Sequence, residues 1–429
     1  MRHHSHEHHG RGFVRRIEQP DLFAHVLTAY AKQSDGTLTN DELYRRVADS
    51  AGLSQEQMRA SAPIGVKGKR HGVLTRQIRW HQQSLKRMGV LAHVPGVSSV
   101  WRFAHRTDSG LHQALPSTRL IAFSTRLGVA IWARCESVLA RLDEPVALLC
   151  TSPPYPLNKP RDYGNPTERE FTDFICRSIE PIVRHLLPGG SICLNLGNDI
   201  FVPGSPARSL YRERLTLTLC ERYSLHKMDD LIWFNPCRPP GPVEWASKRR
   251  VQLNGSYETV TWLTNDPMRV RADNRRVLQP HTERQQRLID AGGEARNVRY
   301  ADGAHGVRVG SFANKTQGRI PRNVLEHTHG CSDTRQYRRD AAALGLPIHG
   351  AMQPLSIPEF LIKLLTQPGD LVVDPFGGTV KTGRAAENSG RRWLVIETML
   401  DYLRASAPRF VGADGFQMHE AIAAWPKAA

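Results

Sequence analysis

The chain has 429 residues, of which 40% are hydrophobic and 23% charged. That globular composition excludes collagenous, mucin-like and wholly disordered chains and predicts two or three folded units. Its 58 lysines and arginines against 41 acidic residues leave a net charge of +17, which favours a polyanionic partner such as nucleic acid.

Residues 1–20 open with MRHHSHEHHG, which has neither the apolar core nor the cleavage site of a signal peptide. They read as a disordered His-rich tail in which His3, His4, His6, His8 and His9 hold no metal, and no metal site is expected elsewhere. The most apolar stretch before residue 160 is broken by Arg126, Arg134, Arg141, Asp143 and Glu144, too often for a bilayer span. The seven cysteines are odd in number and never fall as C-x-x-C. A reduced, cytoplasmic protein with no membrane contact is the expectation.

Residues 21–110 read as a winged-helix-like domain. Leu22, Phe23, Val26, Leu27 and Tyr30 recur at helical spacing, and Thr39-Asn40-Asp41-Glu42 offers capping chemistry ahead of Leu43, Tyr44 and Val47. A third helix, from about Val73 to Met88, carries Arg76, Arg79, His81, Lys86 and Arg87. Gly89 stops it, and extended pieces at Val90–His93 and Ser99–Phe103 flank the Pro95-Gly96 turn. In such a unit the third helix would enter the major groove; a charged solvent face on a protein-docking domain is the alternative.

From about Ile121 the pattern changes to helices alternating with short apolar strands. Residues 120–264 are assigned to the catalytic half of an α/β domain. Val146–Cys150 is a buried strand ending in Thr151-Ser152-Pro153-Pro154-Tyr155, and a helix from Glu168 to Leu187 ends at Pro188-Gly189-Gly190. Strands follow at Ser191–Leu196, Asp230–Phe234 and Thr259–Leu263. Residues 265–348 form a basic insert rich in arginine, expected to be a binding element suited to phosphate and guanine contacts. Residues 349–410 hold a strand–helix–strand unit, Asp370–Asp374 and Trp393–Glu397, with the crossover length of a parallel sheet.

Two motifs stand at strand carboxyl ends, where open parallel sheets bind ligands. In Asp374-Pro375-Phe376-Gly377-Gly378-Thr379-Val380-Lys381, a carboxylate closes a strand and small residues open a helix, so backbone amides can approach a ligand. Glu397 lies 23 positions beyond Asp374, a spacing suited to a ribose hydroxyl acceptor. The run lacks G-x-x-x-x-G-K-[ST], which argues against a triphosphate loop. At the second motif, Pro153 and Pro154 lock an extended backbone and remove two amide donors. Carbonyls are left as acceptors for the exocyclic amine of a flipped base, with Ser152 as a second acceptor and Tyr155 stacked on the ring.

TSPPY at 151–155 and DPFGG at 374–378 resemble the catalytic and S-adenosylmethionine motifs of amino-group DNA methyltransferases, and their order resembles the circularly permuted beta group. The resemblance spans roughly residues 120–410 and leaves the N-terminal unit outside it. It implies a Rossmann-like methyltransferase fold, S-adenosylmethionine as cofactor and double-stranded DNA as substrate. It also implies a base site at Ser152, Pro153, Pro154 and Tyr155, and a cofactor site at Asp374, Pro375, Phe376, Gly377, Gly378, Thr379 and Glu397. Asp230–Trp233, Ser256–Val260 and His349–Pro354 with the helix Ile357–Leu365 are similar to further family segments, and the insert falls where the family keeps its target-recognition region. The chain departs at Val380 and Lys381, where the family writes glycine and threonine, at Gly350, where it writes proline, and in having little chain left for a last sheet strand. Serine at position 152 is typical of cytosine-N4 enzymes, whereas adenine-N6 enzymes carry Asp or Asn there. Cytosine N4 is therefore favoured over adenine N6. A winged-helix regulator with a non-catalytic nucleoside domain is the rival from another class. A cytosine-C5 reaction would need a cysteine nucleophile; Cys237, followed by Arg238-Pro239-Pro240, and Cys150 read as structural. A cognate restriction endonuclease is a possible partner, and the oligomeric state is left open.

Overall fold

The computed structural model describes residues 22–33, 36–64, 69–103, 111–157, 161 and 163–423; the His-rich tail and both ends of the expected N-terminal domain lie outside them. The chain divides into two compact units. The smaller comprises the described residues up to Lys86 with His93–Phe103, and the larger Arg87–Ala92 with the described residues from Leu111 to Ala423.

In the N-terminal region the order is α1 (Leu22–Ala31), β1 (Thr37–Thr39), α2 (Asn40–Ala51), α3 (Gln55–Arg59), the hairpin β2 (Ser61–Ile64) and β3 (Lys69–Gly72), α4 (Val73–Arg87), β4 (Leu91–His93) and β5 (Val100–Phe103). Thr39 caps α2 through a reciprocal box with Glu42, satisfying amides that the first turn leaves unpaired. The three-stranded sheet is ordered β1-β5-β4. On α4, Ile78, His81, Gln82 and Leu85 are buried, and the Gln82 amide donates to the Tyr30 hydroxyl at 2.6 Å. His81 therefore leaves the basic face expected of it. Arg76, Arg79, Lys86 and Arg87 stay exposed beside Trp80.

The larger unit is built on a ten-stranded sheet. Its elements are β6 (Arg119–Ser124), β7 (Gly128–Ala133), α5 (Cys135–Leu139), β8 (Val146–Thr151), α6 (Glu168–Arg184), β9 (Leu186–Leu196), α7 (Tyr211–Tyr223), β10 (His226–Phe234), β11 (Tyr257–Thr264), α8 (Glu283–Asp290), β12 (Val298–Tyr300), β13 (His305–Val307), β14 (Val324–Glu326), α9 (Ser332–Ala343), α10 (Ser356–Leu365), β15 (Leu371–Asp374), α11 (Lys381–Asn388), β16 (Arg392–Glu397), α12 (Leu400–Ser406), β17 (Gln417–Met418) and α13 (Glu420–Ala423). The strand order is β14-β10-β11-β9-β8-β15-β16-β7-β6-β17. The central block β9-β8-β15-β16-β7 is parallel throughout, so the carboxyl ends of these strands share one edge. Every residue of β8 is buried, as a central parallel strand covered on both faces requires. Phe171, Ile175 and Ile179 of α6 and Leu215 and Leu219 of α7 pack with Leu149, Ile192 and Val373 in one core cluster.

Two expectations change. The expected helix to Leu187 ends at Arg184, and Pro188-Gly189-Gly190 lies inside β9: Val146 pairs with Leu186 but Leu148 with Ser191, so the turn residues form a bulge instead of a helix stop. The insert 265–348 is not wholly peripheral. Its β14 joins the central sheet parallel to β10, and α9 packs with α12. At the other edge, β17 is only two residues long and pairs with β6, and the sheet is extended beyond β16 by β7 and β6 from the chain that precedes the diproline motif.

Candidate active site

Because β8 pairs directly with β15, Val372 opposite Leu148 and Val373 opposite Leu149, the two motifs leave the sheet side by side. The Thr151 hydroxyl donates to Asp374 Oδ1 at 2.6 Å. All of Ser152, Pro153, Pro154, Tyr155, Asp374, Pro375, Phe376, Gly377, Gly378, Thr379 and Glu397 line one cavity of about 1340 Å³, so residues more than two hundred positions apart share a cleft.

The glycine bend is closed upon itself. Asp374 Oδ1 also accepts from the Phe376 amide at 3.0 Å, the Gly377 amide donates to the Ile396 carbonyl at 2.8 Å, and the Gly378 amide to Glu397 Oε2 at 2.6 Å. Three amides expected to face a ligand are thus engaged inside the turn. Gly377 is glycine for packing: a Cβ there would stand 2.2 Å from Val395 Cγ1. Glu397 accepts in addition from the Met399 amide at 2.7 Å. Burial pushes the Asp374 carboxyl up to about 6 and the Glu397 carboxyl up to about 7, hydrogen bonds to each opposing the rise.

The departures at 380 and 381 are both buried, Val380 behind the cavity wall and Lys381 on it. Val380 is fully buried at φ +56°, a left-handed conformation rare for a β-branched residue. Lys381, also buried, donates to the Thr334 hydroxyl and stands 3.7 Å from Asp333, which Arg409 pairs at 2.7 Å. The lysine thus ties the bend to the amino end of α9. His349 packs in parallel over Tyr163 at 5.5 Å, and its Nδ1 accepts from the Ala351 amide at 3.1 Å. Burial, reinforced by the Arg161 charge, lowers its pKa to about 4. A neutral imidazole accepting at Nδ1 carries its proton on Nε2.

The diproline corner is held differently. Ser152 Oγ lies 2.9 Å from the Tyr155 hydroxyl, and the Asn165 amide donates to the Tyr155 carbonyl at 2.6 Å. The Tyr155 ring rests on Gly197, where a Cβ would meet Cε2 at 2.8 Å. Beyond the ring, the Tyr155 hydroxyl donates to Glu258 at 3.3 Å, the Asn195 amide donates to Glu258 at 3.0 Å, and Arg238 stands 3.7 Å from the same carboxylate. Sequence reading placed Asn195 and Glu258 only as strand residues; what brings them here is the β9–β11 pairing, Thr259 opposite Leu196 and Val260 opposite Asn195. Cys150 is buried within β8, and Cys237 is exposed, so the second is not the packed residue expected.

The residues at the bend suit S-adenosylmethionine. Asp374 and Glu397 are desolvated carboxylates on the cavity wall, able to accept from ribose hydroxyls and complementary to a ligand that bears an ammonium and a sulfonium.

Residues 146–408 match a family described as DNA methylase, of the N6/N4 class. Over 269 residues the chain is 33% identical to the type II methyltransferase M.PvuII of Proteus hauseri, covering 63% of this chain and 79% of that one. Over 268 residues it is 27% identical to the type II methyltransferase M.BglII of Bacillus subtilis, covering 61% of this chain and 62% of that relative. The solved structure of the PvuII DNA methyltransferase (cytosine-N4-specific) superposes with a TM-score of 0.54 at 28% identity, over 68% of this chain and 89% of that one. The large sheet is accordingly a Rossmann-like methyltransferase fold, with β8 and its diproline corner ahead of β15 and its glycine bend in the chain.

Proposed function

We propose that this chain, which belongs to the N6/N4 DNA methylase family and is an S-adenosylmethionine-dependent DNA methyltransferase, methylates the exocyclic N4 amine of cytosine in double-stranded DNA. The observation that carries the reading is serine at 152, a neutral acceptor beside Tyr155 on the wall of the cavity that also holds Asp374 and Glu397. Likeness to the cytosine-N4-specific PvuII enzyme supports it.

Bound S-adenosylmethionine supplies an electrophilic methyl group. Asp374 and Glu397 would hold its ammonium and ribose ends, and Phe376 would flank the adenine. At the other wall the target base leaves the stack. Its amine hydrogens are accepted by Ser152 Oγ and the Pro153 carbonyl, which holds the nitrogen lone pair out of the ring's conjugation, while Tyr155 covers the ring face. Two successive prolines present no amide donor to compete for that lone pair. Acceleration comes from positioning and from desolvation of the amine.

The exposed arginines of the insert, among them Arg284, Arg287, Arg296, Arg299 and Arg308, are the proposed DNA-recognition surface. Arg271 and Arg276 are not part of it: Arg271 pairs with Asp370 at 2.8 Å, and Arg276 donates to backbone carbonyls of Thr366 and Arg271. The α4 face with Arg76, Arg79 and Trp80 is proposed to touch DNA in the manner of a winged helix. The type II relatives support a cognate restriction endonuclease as partner. Among the described residues no helix is long and apolar enough to cross a membrane, and a cytoplasmic location is proposed.

The test is nucleoside analysis of duplex DNA treated with the protein and labelled S-adenosylmethionine. N4-methylcytosine is expected; label found only in N6-methyladenine would overturn the choice of base.

A further inference from the structure

Ser152 serves as an acceptor for an amine only if its own hydrogen points elsewhere. A hydroxyl has one donor and two acceptor positions, and by itself it rotates to suit either role. Something must fix the direction of the Ser152–Tyr155 bond, and at 2.9 Å between two hydroxyls either oxygen could donate.

The next partner along the chain removes the freedom. Glu258 Oε2 faces the Tyr155 hydroxyl at 3.3 Å and the Asn195 Nδ2 at 3.0 Å. An ionised carboxylate accepts only, so Tyr155 must donate to it. The Tyr155 oxygen is then left to accept, from Ser152 and, at 3.4 Å, from Asn195. With its hydrogen directed at Tyr155, Ser152 turns its lone pairs to the cavity. From this geometry we infer that Glu258 is a positioning residue: it sets the donor direction along Tyr155 and Ser152 and so makes the pocket one for an exocyclic amine. The inference rests on the proposed reading of an amine as the methylated group, and it holds for cytosine N4 and adenine N6 alike.

Protonated Glu258 would undo the arrangement. Its carboxyl hydrogen could be donated to Tyr155, Tyr155 could donate to Ser152, and the Ser152 hydrogen would then meet the amine hydrogens. Such a reversed chain suits a keto oxygen. The groups that face Glu258 are Tyr155 after β8, Asn195 of β9, Arg238 after β10, and Asp199 and Tyr211 more distantly. Burial raises the Glu258 pKa above the usual carboxylate range, and Arg238 opposes that rise while Asp199 adds to it. The switch from acceptor to donor therefore falls nearer neutrality than for a free glutamate.

The test is the single-turnover methylation rate against pH, with enzyme, DNA and S-adenosylmethionine preassembled at saturation so that pH-dependent affinity does not enter, and with Glu258→Gln as the comparison that isolates this carboxyl. The wild-type rate should fall as pH drops through the Glu258 titration. Glu258→Gln keeps an acceptor oxygen that cannot be protonated in this range; it should retain a rate within about threefold of wild type and lose that acid limb. Glu258→Leu removes the acceptor and should slow transfer roughly tenfold or more, with cofactor affinity within about twofold. Should the leucine variant fail to fold, Tyr155→Phe breaks the same chain with the ring kept, and it too should lose rate and limb. An acid limb unchanged in Glu258→Gln, or a wild-type rate in Tyr155→Phe, overturns the inference. A wild-type protein that methylates no amine of DNA at all sinks the proposed function itself.

Discussion

The diproline corner and the glycine bend stand next to each other at the ends of β8 and β15, yet they are finished in opposite ways. In the bend, the Phe376, Gly377 and Gly378 amides, a missing Cβ and two carboxylates are absorbed by one another, leaving a rigid wall. At the corner, prolines withhold donors, and the hydroxyl pair Ser152–Tyr155 is oriented from behind by Glu258. One wall is settled by packing, the other by the direction of its hydrogen bonds. The proposed site, with a charged cofactor on one wall and a neutral amine on the other, needs both.

Substitutions on the two sides should therefore fail differently. The largest effect is expected from Ser152→Ala and Tyr155→Ala, each lowering single-turnover methylation about a hundredfold or more with cofactor affinity kept. Asp374→Ala should instead weaken cofactor binding, as read by calorimetry; equal cofactor loss in all three variants would erase the distinction. Gly197→Ala pushes a Cβ into the Tyr155 ring and should cost roughly tenfold in turnover with little change in cofactor affinity. On the bend side, Gly377→Ala forces a Cβ against Val395 and should destabilise the fold by about 1–3 kcal/mol, visible in denaturant melts.

A pH experiment sharpens the contrast. Asp374 and Glu397 have folded-state values of about 6 and about 7, above the roughly 4 of unfolded carboxylates. Between those limits these two carboxyls bind more protons in the native state than in the unfolded one, so their contribution to the stability of the cofactor-free protein should fall as pH rises from about 4 to about 7, opposite in sign to that of His349, whose lowered value favours the native state as pH rises. Asp374→Asn should remove part of that slope, and thermal melts across the window check it. The smallest effect is expected in the other compact unit: Arg76→Ala with Arg79→Ala should weaken DNA binding only several-fold and lower its salt dependence.

What the sequence made legible was local. An unbroken apolar run ending in TSPPY, and a strand ending in Asp374 before small residues, each announce a strand and a turn within a few positions, and the structure sets both turns on one cavity. The alternating pattern around them was enough for the parallel sheet. What escaped depended on distant partners. Val324–Glu326 is too short to signal a strand and is one only because β10 offers it an edge. Pro188-Gly189-Gly190 looked like a helix stop, since nothing nearby shows that Val146 will accommodate a bulge. His81 sits among arginines in sequence but on the buried side of its helix. Glu258 lies in the Ser256–Val260 segment, which marks a strand but no site role, and only the pairing of β11 with β9 brings it under Tyr155.

The most direct test of the central claim is modification-sensitive sequencing of DNA from two hosts, one expressing the native chain and one the Ser152→Ala variant. N4-methylcytosine at a single sequence context in the first host, and its absence from the second, is the predicted result. Methylated adenine in place of cytosine, or the same marks in both hosts, would contradict it.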